Sequence, residues 1–307
     1  MIAPQIQGLD SKPSAVVFGG SGFLGSYVAL ELACRGYKVT IADIAPPKNL
    51  SKNQRFQRTD VQNQKDIESV IKDKDYVFNF IALANLDDAV KKPKESVNLN
   101  IVGNMSILES AKSCNIKRYI YASSVYAKNQ KGSFYGISKY AAEQITKEYG
   151  LRYKIPYSII RYGSVYGEQP SNNNYLYNLI KNAIKTGVIS YKGQLSDVRE
   201  YIHAADASKL SVDILTDESY ENSTLTLTGV ERLNRGELLE IIREILNGEV
   251  TIQKLSDSNF GHYSVSPYGF QSDVSKKLIA NPFIDIGQGI LQCVESIKNE
   301  SEDDTGV

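Results

Sequence analysis

The sequence predicts an α/β fold in which helices cover both faces of a doubly wound, mostly parallel sheet. Through the first half, short apolar runs alternate with longer helix-like stretches, which is the pattern of consecutive βαβ units. The apolar runs, such as AVVF and YVFNF, are almost unbroken, as expected of strands buried on both faces. The expected strands are Ala15–Phe18, Lys38–Ala42, Tyr76–Phe80, Tyr119–Ser123 and Ser158–Arg161. The expected helices lie near residues 23–35, 63–72, 95–114 and 134–149.

The pattern changes after residue 165, where the sequence predicts a smaller α/β region. Two strand-like runs, VISYKG and TLTLTG, precede a helix with Asn234 as its N-cap, Glu237 in its first turn and Gly248 as its stop. We therefore expect an N-terminal extension at 1–13, a main domain at 14–165, a second region at 166–298 with some segments returning to the main sheet, and a disordered acidic tail at 299–307.

Composition excludes several classes of partner. Lys+Arg and Asp+Glu both total 35, so no net charge draws the chain to nucleic acid or to an anionic membrane. The three cysteines lie far apart and show no metal-ligand spacing, so we expect neither a disulfide framework nor a bound metal. No apolar run is long enough to span a membrane and the first residues do not resemble a signal peptide, so we expect a cytoplasmic protein.

A glycine-rich turn is the strongest local signal. The strand AVVF runs into Gly19-Gly20-Ser21-Gly22-Phe23-Leu24-Gly25, and an amphipathic helix follows at once. Glycines here permit a tight turn, bring backbone N–H groups close to a pyrophosphate and let helix and strand pack closely. The spacing GxxGxxG differs by one residue from the common dinucleotide pattern, and taken alone it fits a tight packing turn equally well.

Asp43 provides the context that favours a dinucleotide. It ends the next predicted strand, where a carboxylate accepts hydrogen bonds from the ribose hydroxyls and repels a 2′-phosphate. The sequence therefore predicts a Rossmann-type site for NAD rather than NADP. The alternative is that Asp43 only caps a surface turn. Arg55 and Arg58 lie downstream, but nothing in the sequence places them at the ribose.

A Tyr-x-x-x-Lys motif suggests oxidoreductive chemistry. A lysine one helical turn after a tyrosine supplies a positive charge that lowers the pKa of the phenol, so the phenol can act as a base. With 20 tyrosines in the chain the motif occurs twice, at Tyr135/Lys139 and at Tyr177/Lys181. Context favours Tyr135 and Lys139, because Ser124 ends a strand eleven residues earlier, at the edge where doubly wound sheets bind ligands. We interpret the second match as an ordinary surface helix.

With GGSGFLG, Asp43, YIYASSVYA, YGISK and RYGSVYG in place, the chain resembles the extended short-chain dehydrogenase/reductase family over residues 14–210. Within that family it is most similar to the NAD-dependent epimerase/dehydratase group, which acts on nucleotide sugars. The resemblance implies that Ser124, Tyr135 and Lys139 are catalytic. It also implies cofactor contacts from Asp60 and Val61, from Phe80, Ile81 and Ala82, from Asn100 and from Lys139, together with substrate contacts from Ser123, Ser164 and Arg199.

The chain also departs from the family pattern. Ser123-Ser124 meets Val125-Tyr126 directly, which leaves open which serine is catalytic, although counting along the strand favours Ser124. Family dehydratases carry Asp-Glu after the catalytic residue; here Val125-Tyr126 follow, which disfavours dehydration. Ser164 stands where many relatives have asparagine, and the C-terminal region lacks the family's second phosphate-binding arginine.

These observations favour a nucleotide-sugar 4-epimerase that retains NAD and works through a transient 4-keto sugar. An NAD(P)-dependent 4-keto-sugar reductase or another sugar dehydrogenase uses the same three residues and stays open. A non-catalytic dinucleotide-binding regulator is a second alternative. The resemblance further implies a homodimer, in which the helices near 95–114 and 134–149 pair between subunits.

Overall fold

The computed structural model describes residues 12–128, 132–169, 171–256, 264 and 276–305. Its main sheet has eight strands in the order β3-β2-β1-β4-β5-β6-β10-β13, and every neighbouring pair is parallel. The strands are β1 (Ser14–Phe18), β2 (Lys38–Asp43), β3 (Gln54–Arg58), β4 (Tyr76–Asn79), β5 (Arg118–Ser124), β6 (Tyr157–Tyr162), β10 (Ser223–Leu227) and β13 (Lys276–Leu278). The predicted α/β class is confirmed.

Five further strands form two small sheets. Strands β7 (Ser164–Tyr166), β9 (Val198–His203) and β11 (Arg232–Asn234) make a three-stranded sheet with β9 in the centre, and β8 (Val188–Tyr191) pairs with β12 (Thr251–Lys254). Strands β10 and β13 extend the main sheet although they come from the second half of the chain. The division into domains proposed from the sequence stays a prediction.

The α-helices follow the predicted alternation. They are α1 (Phe23–Cys34), α2 (Gln64–Ile71), α3 (Leu86–Lys91), α4 (Pro93–Val97), α5 (Asn104–Ala111), α6 (Ser133–Tyr153), α7 (Tyr175–Thr186), α8 (Ala204–Asp213), α9 (Arg235–Ile245) and α10 (Ile286–Thr305). A π-helical segment, Asn98–Gly103, joins α4 to α5, so the single helix predicted near 95–114 has one wide turn. None of the helices in the described ranges is both long and apolar enough to cross a membrane.

Two apolar cores lie on opposite faces of the main sheet. One face packs against α1 and α8, through residues such as Leu32 and Val212. The other packs against α2, α5 and α6, through residues such as Ile67, Leu108 and Ala142. Because the central strands face a core on both sides, they read as continuous apolar runs in the sequence. A third core lies in the second half, among α7, α9 and α10.

The C-terminal end differs from the expected disordered tail. Helix α10 continues to Thr305, so residues 299–305 are helical. The Lys181 ammonium lies 2.9 Å from the Glu300 carboxylate, and the Ser301 hydroxyl donates to the Ile297 carbonyl. These contacts give the polar end of the helix local partners, which its acidic composition did not reveal.

The predicted start of α9 can be tested by removing its cap. Asn234 Oδ1 accepts from the Glu237 N–H at 2.9 Å, and Glu237 Oε2 accepts from the Asn234 N–H at 2.8 Å, forming a complete capping box. We expect Asn234→Ala to lower the free energy of unfolding by about 1 kcal/mol, because the Glu237 backbone N–H loses its side-chain acceptor. Urea denaturation followed by circular dichroism measures the change. The exposed Asn182→Ala in α7 is the control, and an equal loss there would contradict the assignment.

Candidate active site

The glycine turn brings α1 unusually close to β1. Gly19 has a positive φ of 74°, and its N–H donates to the Ala42 carbonyl at 2.9 Å. A Cβ atom on Gly25 would lie 2.2 Å from the Gly19 carbonyl oxygen, so no side chain fits at that position. Gly22 is the N-cap of α1 and gives no side-chain cap to the first turn, which begins with Phe23 and Leu24. This is the arrangement in which helix N–H groups receive a phosphate.

Asp43 faces this turn from the carboxyl end of β2. Its Oδ2 accepts from the Ser21 N–H at 3.1 Å and its Oδ1 accepts from the Ala45 N–H at 3.3 Å. The carboxylate therefore does cap a local turn, and it also lies against the glycine turn, where a ribose would be bound. Arg58 pairs in register with Asp43, so an exposed guanidinium-bearing residue stands on the neighbouring strand. Arg55 instead donates to the Thr40 hydroxyl, further from this edge.

Asp60 and Val61 follow β3 at the same edge of the sheet. Asp60 Oδ1 accepts from the Gln62 N–H at 2.9 Å, which fixes the turn into α2. Val61 is buried, and a Cβ atom on Gly103 would lie 3.2 Å from its Cγ2 atom. Contacts of these residues with an adenine ring stay a prediction.

The segment after β4 borders the glycine turn. A Cβ atom on Gly19 would lie 3.0 Å from the carbonyl carbon of Phe80, and the Phe80 N–H donates to the Phe18 carbonyl at 2.9 Å. The buried Asn79 accepts from the Ile81 N–H through its Oδ1 at 3.0 Å, which orients the backbone towards Ala82. The predicted cofactor-lining segment is thus adjacent to the glycines, and Asn79 holds it there.

Asn100 lies in the π-helical turn and connects two parts of the site. Its Oδ1 accepts from the Leu83 N–H at 2.7 Å, in the segment that follows β4. Its Nδ2 donates to the Ser138 hydroxyl at 2.8 Å, on helix α6. Asn100 is almost completely buried, so these contacts are shielded from water. The residue therefore fixes the segment predicted to line the cofactor relative to α6.

Ser124, Tyr135 and Lys139 lie on the adjoining elements β5 and α6. Ser124 ends β5, and its hydroxyl oxygen accepts from the Tyr126 N–H at 3.3 Å. Tyr135 lies in the first turn of α6, half-buried, with its ring edge-on to that of Tyr126 at 6.1 Å between centroids. Lys139 follows one turn later, and its Nζ donates to the Ala122 carbonyl of β5 at 2.6 Å. Lys139 thus joins α6 to β5 at a point two residues before Ser124.

Burial sets the charge state of Lys139. Its side chain is 2% exposed, and this burial lowers the pKa of the ammonium to about 7, while the Glu143 carboxylate acts in the opposite direction. The Tyr121 ring lies 4.8 Å from Nζ and adds a cation–π contact. Tyr135 lies one helical turn before Lys139 on α6, and a positive charge near a phenol favours its phenolate form.

Sequence reasoning missed a buried ion pair beside this lysine. Glu143, one turn after Lys139, accepts two hydrogen bonds from the Arg161 guanidinium at 2.8 and 2.7 Å, and both residues are buried. The Ser123 hydroxyl donates to Glu143 Oε1 at 2.5 Å. Ser123 therefore points to the opposite face of β5 from Ser124, and its hydroxyl contacts this pair. A substrate contact from Ser123 stays a prediction. The signal available was Arg161, a charge inside the apolar strand SIIRY.

Ser164 and Arg199 lie on neighbouring strands of the three-stranded sheet. Ser164 begins β7, two residues after Tyr162, which pairs in register with Ser124. It pairs with Tyr201 of β9, and Arg199 lies two residues before Tyr201 on that strand. Arg199 is buried, and its Nη1 donates to the Val198 carbonyl at 2.9 Å. The chain thus leads directly from the strand beside Ser124 to the sheet that carries Arg199.

The side chains of the remaining candidates make packing, ion-pair or capping contacts. Tyr177 is fully buried in the core of the second half, and Lys181 pairs with Glu300, so the second Tyr-x-x-x-Lys match contributes to packing. His203 is buried and accepts from the Ala205 N–H as the N-cap of α8. Among the described residues, no group of histidine, cysteine and carboxylate side chains could hold a metal ion.

Known proteins match most of the chain in sequence. A sequence profile of the NAD-dependent epimerase/dehydratase family matches residues 15–225. The chain is 26% identical to a putative UDP-glucose 4-epimerase of Methanocaldococcus jannaschii, over 93% of this chain and 99% of that protein. It is 23% identical to the low-salt glycan biosynthesis protein Agl12 of Haloferax volcanii, over 94% and 99% of the two chains.

Solved structures show the same fold. A UDP-glucuronic acid 4-epimerase of Bacillus cereus, in complex with UDP-glucuronic acid and NAD, superposes with a TM-score of 0.82 at 20% identity, over 94% of this chain and 99% of that one. An epimerase of Methanothermobacter thermautotrophicus superposes with a TM-score of 0.84 at 17% identity, over 95% and 94%.

Replacing Asp43 tests whether its carboxylate faces the ribose. We expect Asp43→Ser to shift the ratio of NAD to NADP affinity towards NADP by about tenfold or more, because a repelling charge is removed beside Arg58. Isothermal titration with each dinucleotide measures the ratio. Arg58→Ala added to Asp43→Ser should remove most of the gain, and Asp60→Asn is the control. An unchanged ratio in Asp43→Ser would assign the carboxylate to the turn alone.

Proposed function

The chain belongs to the NAD-dependent epimerase/dehydratase family, and on this basis we propose that it is an NAD-dependent nucleotide-sugar 4-epimerase. One observation carries the proposal: Ser124, Tyr135 and Lys139 lie on adjoining β5 and α6, with the Lys139 ammonium bound to the Ala122 carbonyl. This places a serine hydroxyl, a phenol and a buried cation at the carboxyl edge of the sheet. That edge also carries the glycine turn.

The glycine turn and Asp43 fit NAD. The close approach of Gly25 to Gly19 leaves the first-turn N–H groups of α1 available to a pyrophosphate, and Asp43 supplies a carboxylate for the adenosine ribose. Bound at this site, NAD would supply the hydride acceptor and donor that the reaction needs. Lys139 of α6 and Asn100 of the π-helical segment would hold the nicotinamide end of the cofactor.

The chain's own residues handle the proton. Tyr135, as the phenolate, would accept the proton of the sugar 4-hydroxyl as the 4-keto sugar forms, and it would return the proton after the sugar has turned over. Lys139 makes this feasible, because an adjacent cation lowers the pKa of a phenol from about 10 towards neutrality. Ser124 would donate a hydrogen bond to the sugar oxygen and so stabilise the geometry of the developing carbonyl.

The residues after Ser124 argue against dehydration. Valine and tyrosine carry no carboxyl group, so neither Val125 nor Tyr126 can expel water from the sugar as the Asp-Glu pair of the dehydratases does. Val125 is buried and Tyr126 packs against Tyr135. We propose that Arg199 binds the substrate diphosphate, since a guanidinium engages two phosphate oxygens at once. Ser164, on the neighbouring strand, would line the sugar pocket. Relatives named for UDP-glucose and UDP-glucuronic acid support a nucleotide sugar as substrate.

A homodimer completes the proposal. Helical segments that pack on each other carry exposed apolar side chains, namely Val102 in the π-helical segment, Met105 in α5, and Phe134 and Ile137 in α6, each at least 39% exposed. In the proposal these four make up one apolar face. Exposed apolar groups gathered on one face are typical of a surface that another subunit covers. We therefore propose that this face pairs with its copy to form a four-helix interface.

Replacing Tyr135 tests the chemistry. We expect Tyr135→Phe to lower kcat for UDP-sugar epimerisation by about 10³-fold while NAD affinity stays unchanged, because the phenol serves only as the proton acceptor. Chromatography of UDP-glucose and UDP-galactose measures turnover. Tyr177→Phe is a matched control from the second Tyr-x-x-x-Lys motif, and it should leave kcat within about twofold of the wild type. Full activity in Tyr135→Phe would refute the catalytic assignment.

Cofactor use separates the epimerase from a reductase. A retained-cofactor epimerase turns over with stoichiometric NAD bound and needs no added reduced cofactor. We expect the purified holoenzyme to interconvert UDP-glucose, UDP-N-acetylglucosamine or UDP-glucuronic acid with their 4-epimers under these conditions. Turnover only with one NAD(P)H consumed per sugar would instead indicate the reductase.

Charge on the apolar face tests the dimer. We expect Ile137→Glu to convert the dimer to a monomer at micromolar concentration, because two buried, unpaired carboxylates would face each other across the two-fold axis. Light scattering coupled to gel filtration gives the mass. Leu291→Glu, at an exposed site on α10, is the control and should stay dimeric. A monomeric wild-type protein would refute the proposed homodimer.

A further inference from the structure

A buried polar cluster lies directly behind the proposed catalytic residues. It consists of Ser123 on β5, Glu143 on α6 and Arg161 on β6, and each has at most 7% of its surface exposed. Arg161 pairs in register with Ser123 on the adjacent strand, and Glu143 bonds to both. None of the three has a step of its own in the mechanism proposed above.

The cluster and Lys139 fasten α6 to consecutive residues of β5. The Lys139 ammonium donates to the carbonyl of Ala122, and Glu143, one turn further, accepts from the hydroxyl of Ser123. Ser124 is the next residue of the strand. The position of Ser124 relative to α6 is therefore fixed by two adjacent contacts, one from each of two successive helical turns.

Stability alone is a poor reason for such a pair. Removing two charges from water carries a desolvation penalty that the attraction between them often fails to exceed, and well-packed apolar residues frequently do as well or better. An ion pair does, however, fix the orientation of its groups. Glu143 accepts two hydrogen bonds from the Arg161 guanidinium and a third from the Ser123 hydroxyl. Such a carboxylate fixes a geometry that apolar packing leaves looser.

Resting on the proposed function, we infer that Glu143 is a positioning residue for catalysis. Its carboxylate holds Ser124 on β5 in register with Tyr135 and Lys139 on α6, and its negative charge keeps the buried ammonium of Lys139 positive beside the phenol. Arg161 orients this carboxylate from β6. Neither Glu143 nor Arg161 contacts the reacting atoms in this assignment.

The charged groups around Lys139 determine the direction of the effect. Helix α6 presents Glu143 and the phenol of Tyr135, β5 presents the ring of Tyr121 at 4.8 Å, and β6 presents Arg161, which is bonded to Glu143. The segment before α5 presents the neutral Asn100, which reaches Ser138 next to Lys139 in the chain. Glu143 is thus the negative charge that offsets the burial of Lys139 among these groups.

Two readouts follow from this arrangement. Burial lowers the pKa of Lys139 to about 7, and Glu143 raises it, so Glu143→Gln must lower it further. Catalysis needs Tyr135 as phenolate and Lys139 as cation, so activity is lost at high pH as Lys139 loses its proton. In Glu143→Gln this alkaline limb of the kcat profile therefore moves to lower pH. A purely structural role would lower stability and leave the limb in place.

The experiment compares four forms of the NAD-loaded enzyme. Besides wild type and Glu143→Gln, the double variant Glu143→Met/Arg161→Met replaces the ion pair with apolar volume, and Arg118→Met removes a buried charge from the other end of β5. For each we would record the melting temperature, the pH dependence of kcat and KM for UDP-sugar epimerisation, and the NMR titration of Lys139 through its ¹³Cε signal, assigned with Lys139→Arg.

We expect kcat of Glu143→Gln to fall by about tenfold or more while KM stays within about twofold of the wild type, since the substrate contacts are untouched. The double variant should recover the melting temperature but not kcat, and Arg118→Met should lose stability without moving the alkaline limb. A double variant with wild-type kcat and an unmoved limb would overturn the inference, as would an unchanged Lys139 titration in Glu143→Gln. If Lys139 titrates as expected but no UDP-sugar turns over in the wild type, the proposed function fails and the effect of Glu143 on Lys139 stands.

Discussion

The close packing of α1 against β1 is the constraint on which the rest of the site depends. A single Cβ atom at Gly25 would overlap the Gly19 carbonyl, and one at Gly19 would press on the backbone of Phe80 after β4. Three chain segments therefore meet with no side chain between them, at the point where the strand order reverses between β1 and β4. Because backbone lines this cleft, the phosphates of a dinucleotide can accept hydrogen bonds from N–H groups whose positions the sheet has already fixed.

The other half of the site is fixed by buried polar contacts instead of by glycine. Asn100 joins the segment after β4 to α6, and Lys139 and Glu143 join α6 to successive residues of β5. Apolar packing alone would let a helix slide by fractions of an ångström along a strand, whereas hydrogen bonds in a dry interior strongly favour one register. The reacting groups need that register, because proton transfer requires hydrogen-bond distances. Glycine brings the backbone close, and polar side chains set the angle and reach of the reacting groups.

The sequence predicted the central strands well for the same physical reason that makes them central. β1, β2, β4, β5 and β6 are buried on both faces, so their apolar runs are visible without any knowledge of their partners. β3 was missed because it lies at the sheet edge, and its residues, QRFQR, are only partly covered. The Glu143–Arg161 pair was missed because the two residues are far apart in sequence. Only the pairing of β5 with β6 brings Arg161 beside Ser123 and hence beside Glu143.

The same distinction explains why the chemistry can be inferred more closely than the sugar. Tyr135 and Lys139 are one helical turn apart, so the local sequence determines their relation. Ser124 on the preceding strand already favoured this pair over Tyr177 and Lys181, and the structure adds that Tyr177 is fully buried. Arg199 and Ser164 depend on strand pairing instead: Arg199 lies opposite Leu233, and Ser164 lies opposite Tyr201. A change in any of these strands can reshape the proposed substrate pocket without touching the motif on α6. Reaction type and sugar preference can therefore vary independently in such a fold, which is why local motifs identify the former and leave the latter to measurement.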